Sequence, residues 1–190
     1  MKELQQFINE HKLDKYISNT YPDDPIKSAV YDYVAGLTTS INNLLRKNQD
    51  YPKITKLLDK AFFEATEINV YRTVDWDYMK NIHRITPENV YDKIGTEIIN
   101  KGYMSTTSEY QSPWASRWLS GDLILHITSK EPYPFIEINS MFRNDEIDCA
   151  SQNEYLLPRN TKMILKDVEL KRGKKYDKNG TYQLELEIIS

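Results

Sequence analysis

Three short polar groups stand out as material for chemistry: Arg72, the hydroxyl run Ser105-Thr106-Thr107, and Gln152-Asn153-Glu154. In extended backbone, residues two apart point to the same side, so Gln152 and Glu154 would face one cleft together. An amide beside a carboxylate can hold a polar group and meet it with negative charge. Glu185-Leu186-Glu187 has the same spacing, but there the alternation of a regular strand explains it. Gln152 and Glu154 differ in standing where a long irregular loop runs into Tyr155-Leu156-Leu157. Taken singly, Arg72 reads as a strand-end surface charge and the Ser/Thr triplet as a β-former. More familiar constellations are missing: His11, His83 and His126 lie in unrelated contexts, and there is no HExxH, GxSxG or glycine-rich phosphate loop. The histidines therefore read as structural. Cys149 has Glu146 and Asp148 close by, which disfavour a thiolate, and it reads as inert. Asp145-Glu146-Asp148 lacks the spacing and glycine of a calcium loop and reads as a solvated acidic loop. Lys171-Arg172-Gly173-Lys174-Lys175 reads as the charged approach to a final hairpin.

The elements that must position these residues fall into two halves. From Pro25 to Asn48 the positions Ile26, Val30, Tyr33, Val34, Leu37, Ile41, Leu44 and Leu45 recur at the spacing of a buried helix face. A second helix follows Pro52, with Ile54, Leu57, Leu58, Ala61, Phe62 and Ala65 on one stripe. From Ile68 the period turns toward two, predicting strands at Ile68–Thr73, Asp122–Thr128, Pro134–Asn139, Lys162–Lys171 and Thr181–Ile189. Asn179-Gly180 predicts a hairpin between the last two. Two helices are expected within this half, one from Thr86-Pro87 to Gly102 burying Val90, Ile94 and Ile98, and a short one opening at Ser112-Pro113. The fold class is α+β: a helical lobe over residues 1–67, packed on a two-sheet, mainly antiparallel β-core over 68–190, in one domain spanning 1–190.

Composition narrows the classes. A chain of 190 residues is one domain by size, and it needs no staple to hold a core. The net charge of −3 speaks against nucleic acid bound by bulk electrostatics and against anionic membrane surfaces. A single cysteine excludes an internal disulfide framework and a multi-thiolate zinc site. No run approaches the ~20 apolar residues of a membrane helix. Leu4, Phe7, Ile8 and Leu13 have helical spacing, but no stretch has the length of a signal-peptide core. The chain reads as cytosolic, or as a mature or truncated form of a secreted protein. It is expected to be a monomer.

Taken in order, Arg72, Ser105-Thr106-Thr107 and Gln152-Asn153-Glu154 resemble the arginine, Ser-Thr-Ser and Gln-x-Glu signature of mono-ADP-ribosyltransferase toxins. The closer resemblance is to the C-three-like, Rho-modifying exoenzymes. Leu45-Arg46-Lys47-Asn48 is similar to their Leu-Arg-x-Asn, Trp114-Ala115-Ser116-Arg117 to their aromatic-x-x-Arg, and Leu156-Leu157-Pro158-Arg159 to the Leu-Leu-Pro-Arg after Gln-x-Glu. Gly102-Tyr103 and Leu57-Leu58-Asp59-Lys60 also fit, so the similarity spans about Ala29 to Ser190. There are departures. Thr107 replaces the second serine, Thr73 stands where the family usually has glycine, and the loop from Asn139 to Ser151 is longer. The aromatic that precedes Gln-x-Glu in the family is off its usual position, Phe142 being the nearest candidate for that substrate-recognition role.

The resemblance implies an ADP-ribosyltransferase-like fold and an enzyme that cleaves NAD at the nicotinamide–ribose bond, moving ADP-ribose to a protein side chain without a metal. Arg46 and Arg72 would meet the pyrophosphate, since a guanidinium matches phosphate oxygens bidentately. Thr73 and Thr106 would lie on the cofactor side, and Trp114 and Arg117 would hold nicotinamide. Glu154, its carboxylate held by Ser105, would supply negative charge where positive charge develops on the ribose. The neutral amide of Gln152 complements an asparagine or glutamine acceptor better than a guanidinium. The implied partner is a host Rho-family small GTPase modified at asparagine, by a secreted toxin acting in the host cytosol. An NAD glycohydrolase, and a catalytically dead module of the same fold, are the other readings.

Overall fold

The computed structural model describes residues 20–108, 123–143, 146, 153–172 and 180–189. Leu4, Phe7, Ile8 and Leu13, the helix expected at Ser112-Pro113, and Trp114, Arg117, Cys149 and Gln152 lie outside the described residues.

Helix α1 (Pro25–Asp32) begins where the Asp24 side chain accepts the Lys27 N–H at 2.9 Å, with Pro25 in the first turn, where its missing donor costs nothing. The helix runs through a π-helical turn (Tyr33–Leu37) into α2 (Thr38–Arg46). The single run expected from Pro25 to Asn48 is therefore present, widened at its middle. It ends at Asn48, whose φ of 57° leaves the helical region. Helix α3 (Pro52–Ala61) also opens on proline. Val30, Tyr33, Leu37, Ile41, Leu44, Ile54 and Leu58 bury one face of this lobe against Ile136 and Leu156 of the β-half.

Among the described residues nine strands follow: β1 (Glu64–Thr66), β2 (Asn69–Val74), β3 (Glu97–Asn100), β4 (Met104–Thr107), β5 (Leu123–Thr128), β6 (Tyr133–Glu137), β7 (Glu154–Leu157), β8 (Thr161–Lys171) and β9 (Thr181–Ile188). Their order is β1-β6-β7-β4-β2-β5-β9-β8-β3. Where two sheets are expected, hydrogen bonding runs through one. Its two halves meet at a single register pair between β2 and β4, Tyr71 opposite Thr107. All pairings are antiparallel except β5 with β9. The expected β8–β9 hairpin is present, with Gly180 at φ 86°, a conformation that glycine adopts without strain. A second core lies within the curve of the larger half, built from Val70, Leu125, Met104, Leu157, Leu165, Leu184 and Leu186. Among the described residues, no helix is long and apolar enough to cross a membrane.

One expected helix is corrected. Thr86 to Gly102 is a turn, a 3-10 turn (Tyr91–Lys93) and then β3. Gly95, at φ 87°, breaks the helical run, and beyond it burial alternates: Ile98 and Asn100 are buried while Glu97 and Ile99 are exposed. Val90 and Ile98 are buried as expected, but from different elements, and Ile94 is exposed. The helix actually present lies earlier, as α4 (Trp76–His83), capped by the Asp75 carboxylate accepting from the Tyr78 N–H at 2.6 Å. Only Met79 of it is fully buried, too little to leave a stripe in the sequence. A further single turn, α5 (Ile138–Met141), follows β6.

The helical lobe and the sheet are joined by Asn42. Its amide Nδ2 donates to the Tyr33 hydroxyl and to the Tyr103 carbonyl, both at 3.0 Å, and its Oδ1 accepts the Tyr103 N–H at 2.9 Å. Tyr103 continues the tie: its hydroxyl donates to Asp59 at 2.7 Å, and Asp59 accepts from Arg159 at 2.6 Å. A Cβ on Gly102 would stand 2.4 Å from Asn42 Oδ1, so only glycine leaves room for this contact. Asn42→Ala strands the N–H and carbonyl of Tyr103 in a buried site. It should lower the unfolding free energy by about 2–4 kcal/mol, read from urea titration. Gly102→Ala should lower it through displacement of the same side chain.

Candidate functional site

Arg72, the run Ser105-Thr106-Thr107 and Glu154 come together at the junction of the two sheet halves. Arg72 lies in the middle of β2, opposite Leu125 on β5, and its Nη1 donates to the Ser105 carbonyl on β4 at 2.9 Å. Ser105 and Thr107 share one face of β4 and are half-buried. Glu154 opens β7 and is buried, with 7% of its surface exposed. In the β4–β7 ladder Thr107 is directly opposite Glu154, whereas Ser105 opposes Leu156. Ser105 is therefore the diagonal neighbour of Glu154, and Thr107 the direct one. The residue read as a mild departure has the closer place in the ladder.

The backbone turns sharply just before the carboxylate. Asn153 has φ 47°, in the left-handed region that asparagine tolerates better than most residues. Its Oδ1 accepts from Asn139 Nδ2 at 2.8 Å, and its carbonyl accepts the Ser108 N–H at 3.4 Å. The premise that 152 to 154 is extended is thus corrected. Alternation does not decide which way Gln152 faces, because the intervening residue is not a strand residue.

Arg46, the last residue of α2, brings a second guanidinium from the helical side. Its Nη1 donates to Asn43 Oδ1 at 3.3 Å, and the guanidinium stands 5.4 Å from the centre of the Tyr78 ring on α4. Arg46, Arg72 and Glu154 all act electrostatically on the hydroxyl of Tyr33, which is fully buried. Burial is the main cause that pushes the Tyr33 phenol well above its ordinary value, so it stays a neutral dipole among three charges. The Nε atoms of Arg46 and Arg72 are both buried with no hydrogen-bond partner among the described residues. A buried, unsatisfied cationic donor costs free energy unless a ligand meets it. Two of them, one from α2 and one from β2 and both acting on the Tyr33 hydroxyl, fit an anion with several oxygens.

Two expected site residues are placed elsewhere. Phe142 is 2% exposed in the helical core, with its ring 5.9 Å from Tyr21 and 6.0 Å from Tyr31, so it is not a surface contact for another protein. Its apolar ring is better satisfied by that aromatic cluster than by water. Thr106 faces the opposite side of β4 from Ser105 and Thr107, and its hydroxyl donates to the Tyr155 carbonyl at 2.7 Å. It braces β4 against β7 and is not turned toward a ligand. Thr73 is half-buried on β2, opposite Ile124. Tyr33 and Asn42 were legible only as members of a helix, and Tyr78 stands on α4, which the sequence pattern does not show. A tyrosine or asparagine inside an apolar stripe was the one signal that could have marked the first two.

The sequence profile of the ADP-ribosyltransferase exoenzyme family matches residues 8–188. No curated protein sequence matches the chain. Among solved structures, Plx2a, an ADP-ribosyltransferase toxin from Paenibacillus larvae, is 17% identical over 96% of this chain and 97% of its own, with a TM-score of 0.70. The C3 exoenzyme of Clostridium limosum is 19% identical, covering 96% and 95%, at a TM-score of 0.67. C3stau2 from S. aureus, solved with NAD, is 19% identical, covering 94% and 95%, at 0.68. At these identities the likeness shows a shared fold, the mixed α+β fold of these toxins.

His83, at the end of α4, supplies a pH test. Burial, and then the Arg46 charge, lower its pKa from 6.5 to about 4. The folded protein therefore takes up its proton later than the unfolded chain does. Its contribution to stability is full above pH 6.5 and is lost as the pH falls toward 4. Between about pH 7 and 4.5 the loss from this group should be about 2–3 kcal/mol. Comparing urea unfolding of the wild type with His83→Gln at both pH values measures it, the variant showing the smaller loss.

Proposed function

The chain belongs to the ADP-ribosyltransferase exoenzyme family, and on that footing we propose that it is a protein mono-ADP-ribosyltransferase using NAD as co-substrate. The observation that carries this reading is the pair of unpartnered guanidinium Nε atoms on Arg46 and Arg72, with the buried Glu154 carboxylate in the same electrostatic neighbourhood. This donor set fits NAD. Arg46 and Arg72 would hold the pyrophosphate, each offering forked N–H groups that no carboxylate among the described residues takes up. When bound, NAD supplies an ADP-ribosyl group whose bond to nicotinamide can be broken. Glu154 then supplies fixed negative charge beside the ribose, in a site dry enough for that charge to act strongly. Ser105 and Thr107, on the face of β4 that opposes Glu154, orient the carboxylate. The Arg72 bond to the Ser105 carbonyl couples the phosphate-binding side chain to the strand that serves Glu154.

The remaining assignments rest on the sequence motifs. Trp114 and Arg117 would hold nicotinamide, with Thr73 backbone groups beside it. Gln152 would receive the acceptor, and its amide suits an asparagine side chain. The acceptor is proposed to be an asparagine on a host Rho-family GTPase, modified by a toxin delivered to the host cytosol. The proposal takes residues 1–190 as a single ADP-ribosyltransferase-like domain, with a helical lobe at 1–67 and the β-core with the NAD cleft at 68–190.

The test measures nicotinamide release from NAD by the wild type, Gln152→Ala and Glu154→Ala, with and without a purified Rho GTPase, reading ADP-ribose on the GTPase by intact mass. The wild type should label the GTPase, and Gln152→Ala should cleave NAD without labelling. Glu154→Ala should lose at least ~10²–10³ of the rate of both. Cleavage without any label would move the reading to a glycohydrolase or another target. A wild type without turnover would leave a binding module.

A further inference from the structure

Arg46 is held in an unusual way for a half-buried cation whose Nε is fully enclosed. Among the described residues no carboxylate pairs with it, and its one hydrogen bond is the long Nη1 contact to Asn43. What its guanidinium stands over is the ring of Tyr78, 5.4 Å from the centre. Tyr78 itself is fixed from three directions. Its backbone N–H caps α4 on Asp75. Its hydroxyl donates to Asn100 Oδ1 at 3.0 Å, and Asn100, itself 2% exposed, donates from Nδ2 to the Gly102 carbonyl at 2.5 Å. His83 stands against the ring, with centroids 5.9 Å apart.

We propose that Tyr78 is a positioning residue for Arg46: its aromatic face holds the guanidinium toward the cleft while leaving the N–H groups free for a phosphate. The physical distinction is between two ways of holding a cation. A carboxylate would fix the guanidinium equally well, but it would consume the forked donors and cancel the charge. An aromatic face attracts the cation through the ring quadrupole and takes no N–H group. Tyr78 is also bound to the strand that carries the other arginine. It lies six residues after Arg72, across the Asp75 cap, so one β2–α4 unit sets both cations. Through Asn100 and Gly102 the ring is tied to the turn that Asn42 clamps, which fixes its distance from α2. The inference rests on the reading of Arg46 as a pyrophosphate ligand and deepens it by naming what sets its position.

The test uses the full chain and NAD itself. Dissociation constants are measured for the wild type, Tyr78→Phe, Tyr78→Trp, Tyr78→Leu, Arg46→Ala and the double variant Tyr78→Leu/Arg46→Ala, alongside kcat and KM for NAD cleavage. Tyr78→Phe and Tyr78→Trp keep an aromatic face and should bind NAD within about twofold of the wild type. Tyr78→Leu should weaken binding about fivefold and raise KM with kcat unchanged. In the Arg46→Ala background the same leucine should change nothing further. In the free protein, the Arg46 Nε–H resonance should carry a ring-current shift that Tyr78→Phe retains and Tyr78→Leu loses.

Equal weakening by leucine with and without Arg46 overturns the inference. So does a Tyr78→Phe protein that binds as poorly as Arg46→Ala, a result that needs no folded leucine variant. Weakening by Arg46→Ala with none by Tyr78→Leu overturns it while leaving the Arg46 reading intact. Equal NAD affinity of wild type and Arg46→Ala overturns the Arg46 reading itself.

Discussion

The site depends on a single buried amide. Asn42 satisfies the N–H and the carbonyl of Tyr103 and the hydroxyl of Tyr33 at once, and in doing so fixes α2 against the start of β4. Arg46 stands one helical turn beyond Asn42, and Ser105 two residues beyond Tyr103, so both walls of the cleft are referenced to this contact. A polar group in such a place is specific in a way that packing is not. An apolar side chain could slide on its neighbours, whereas three hydrogen bonds admit one register. The absence of a Cβ at Gly102 is part of the same constraint.

Around that joint, the charges are arranged so that few of them are spent on one another. Arg72 gives one donor to a carbonyl and Arg46 gives one to an amide, and each keeps a buried Nε without a partner. The contrast with Arg159 is instructive. It is committed to Asp59 and Asp50, at 2.6 and 3.3 Å, and works as a structural cross-link between the lobe and the turn after β7. The same side-chain type is neutralised where it holds the fold and left unsatisfied where a ligand is expected.

The long helical run, α3 and the five principal strands were legible because each shows a periodic stripe over many residues, from Val30 to Leu45 or from Thr181 to Ile188. The order Arg72, Ser105, Glu154 was legible through its resemblance to a family signature, whereas β4 and β7, the short strands that carry the last two, showed no periodic stripe of their own. Other features were not. Helix α4 buries Met79 and little else, and the Ile94 to Ile98 spacing imitates a helix until Gly95 breaks it. Phe142 looked like a loop aromatic, but a nearby tyrosine pair drew it into the core. Pairings across the sheet, such as Thr107 opposite Glu154, depend on register between segments far apart in the chain, and no local pattern encodes them. The partner of an aromatic face, as for Tyr78 and Arg46, is hidden for the same reason.

The sheet order carries a further consequence. Strand β9 is not at a border: it lies between β5 and β8, pairing in parallel with one and antiparallel with the other. The strand carrying Arg72 is thus supported on its far side by residues much later in the chain. Such an order closes large loops before it is rewarded, which slows folding and defers it until residues 181–188 have been made. A ribosome-bound chain lacking that strand has no finished β-core and no formed cleft. The topology therefore ties formation of the cleft to the strand that closes the larger half of the sheet.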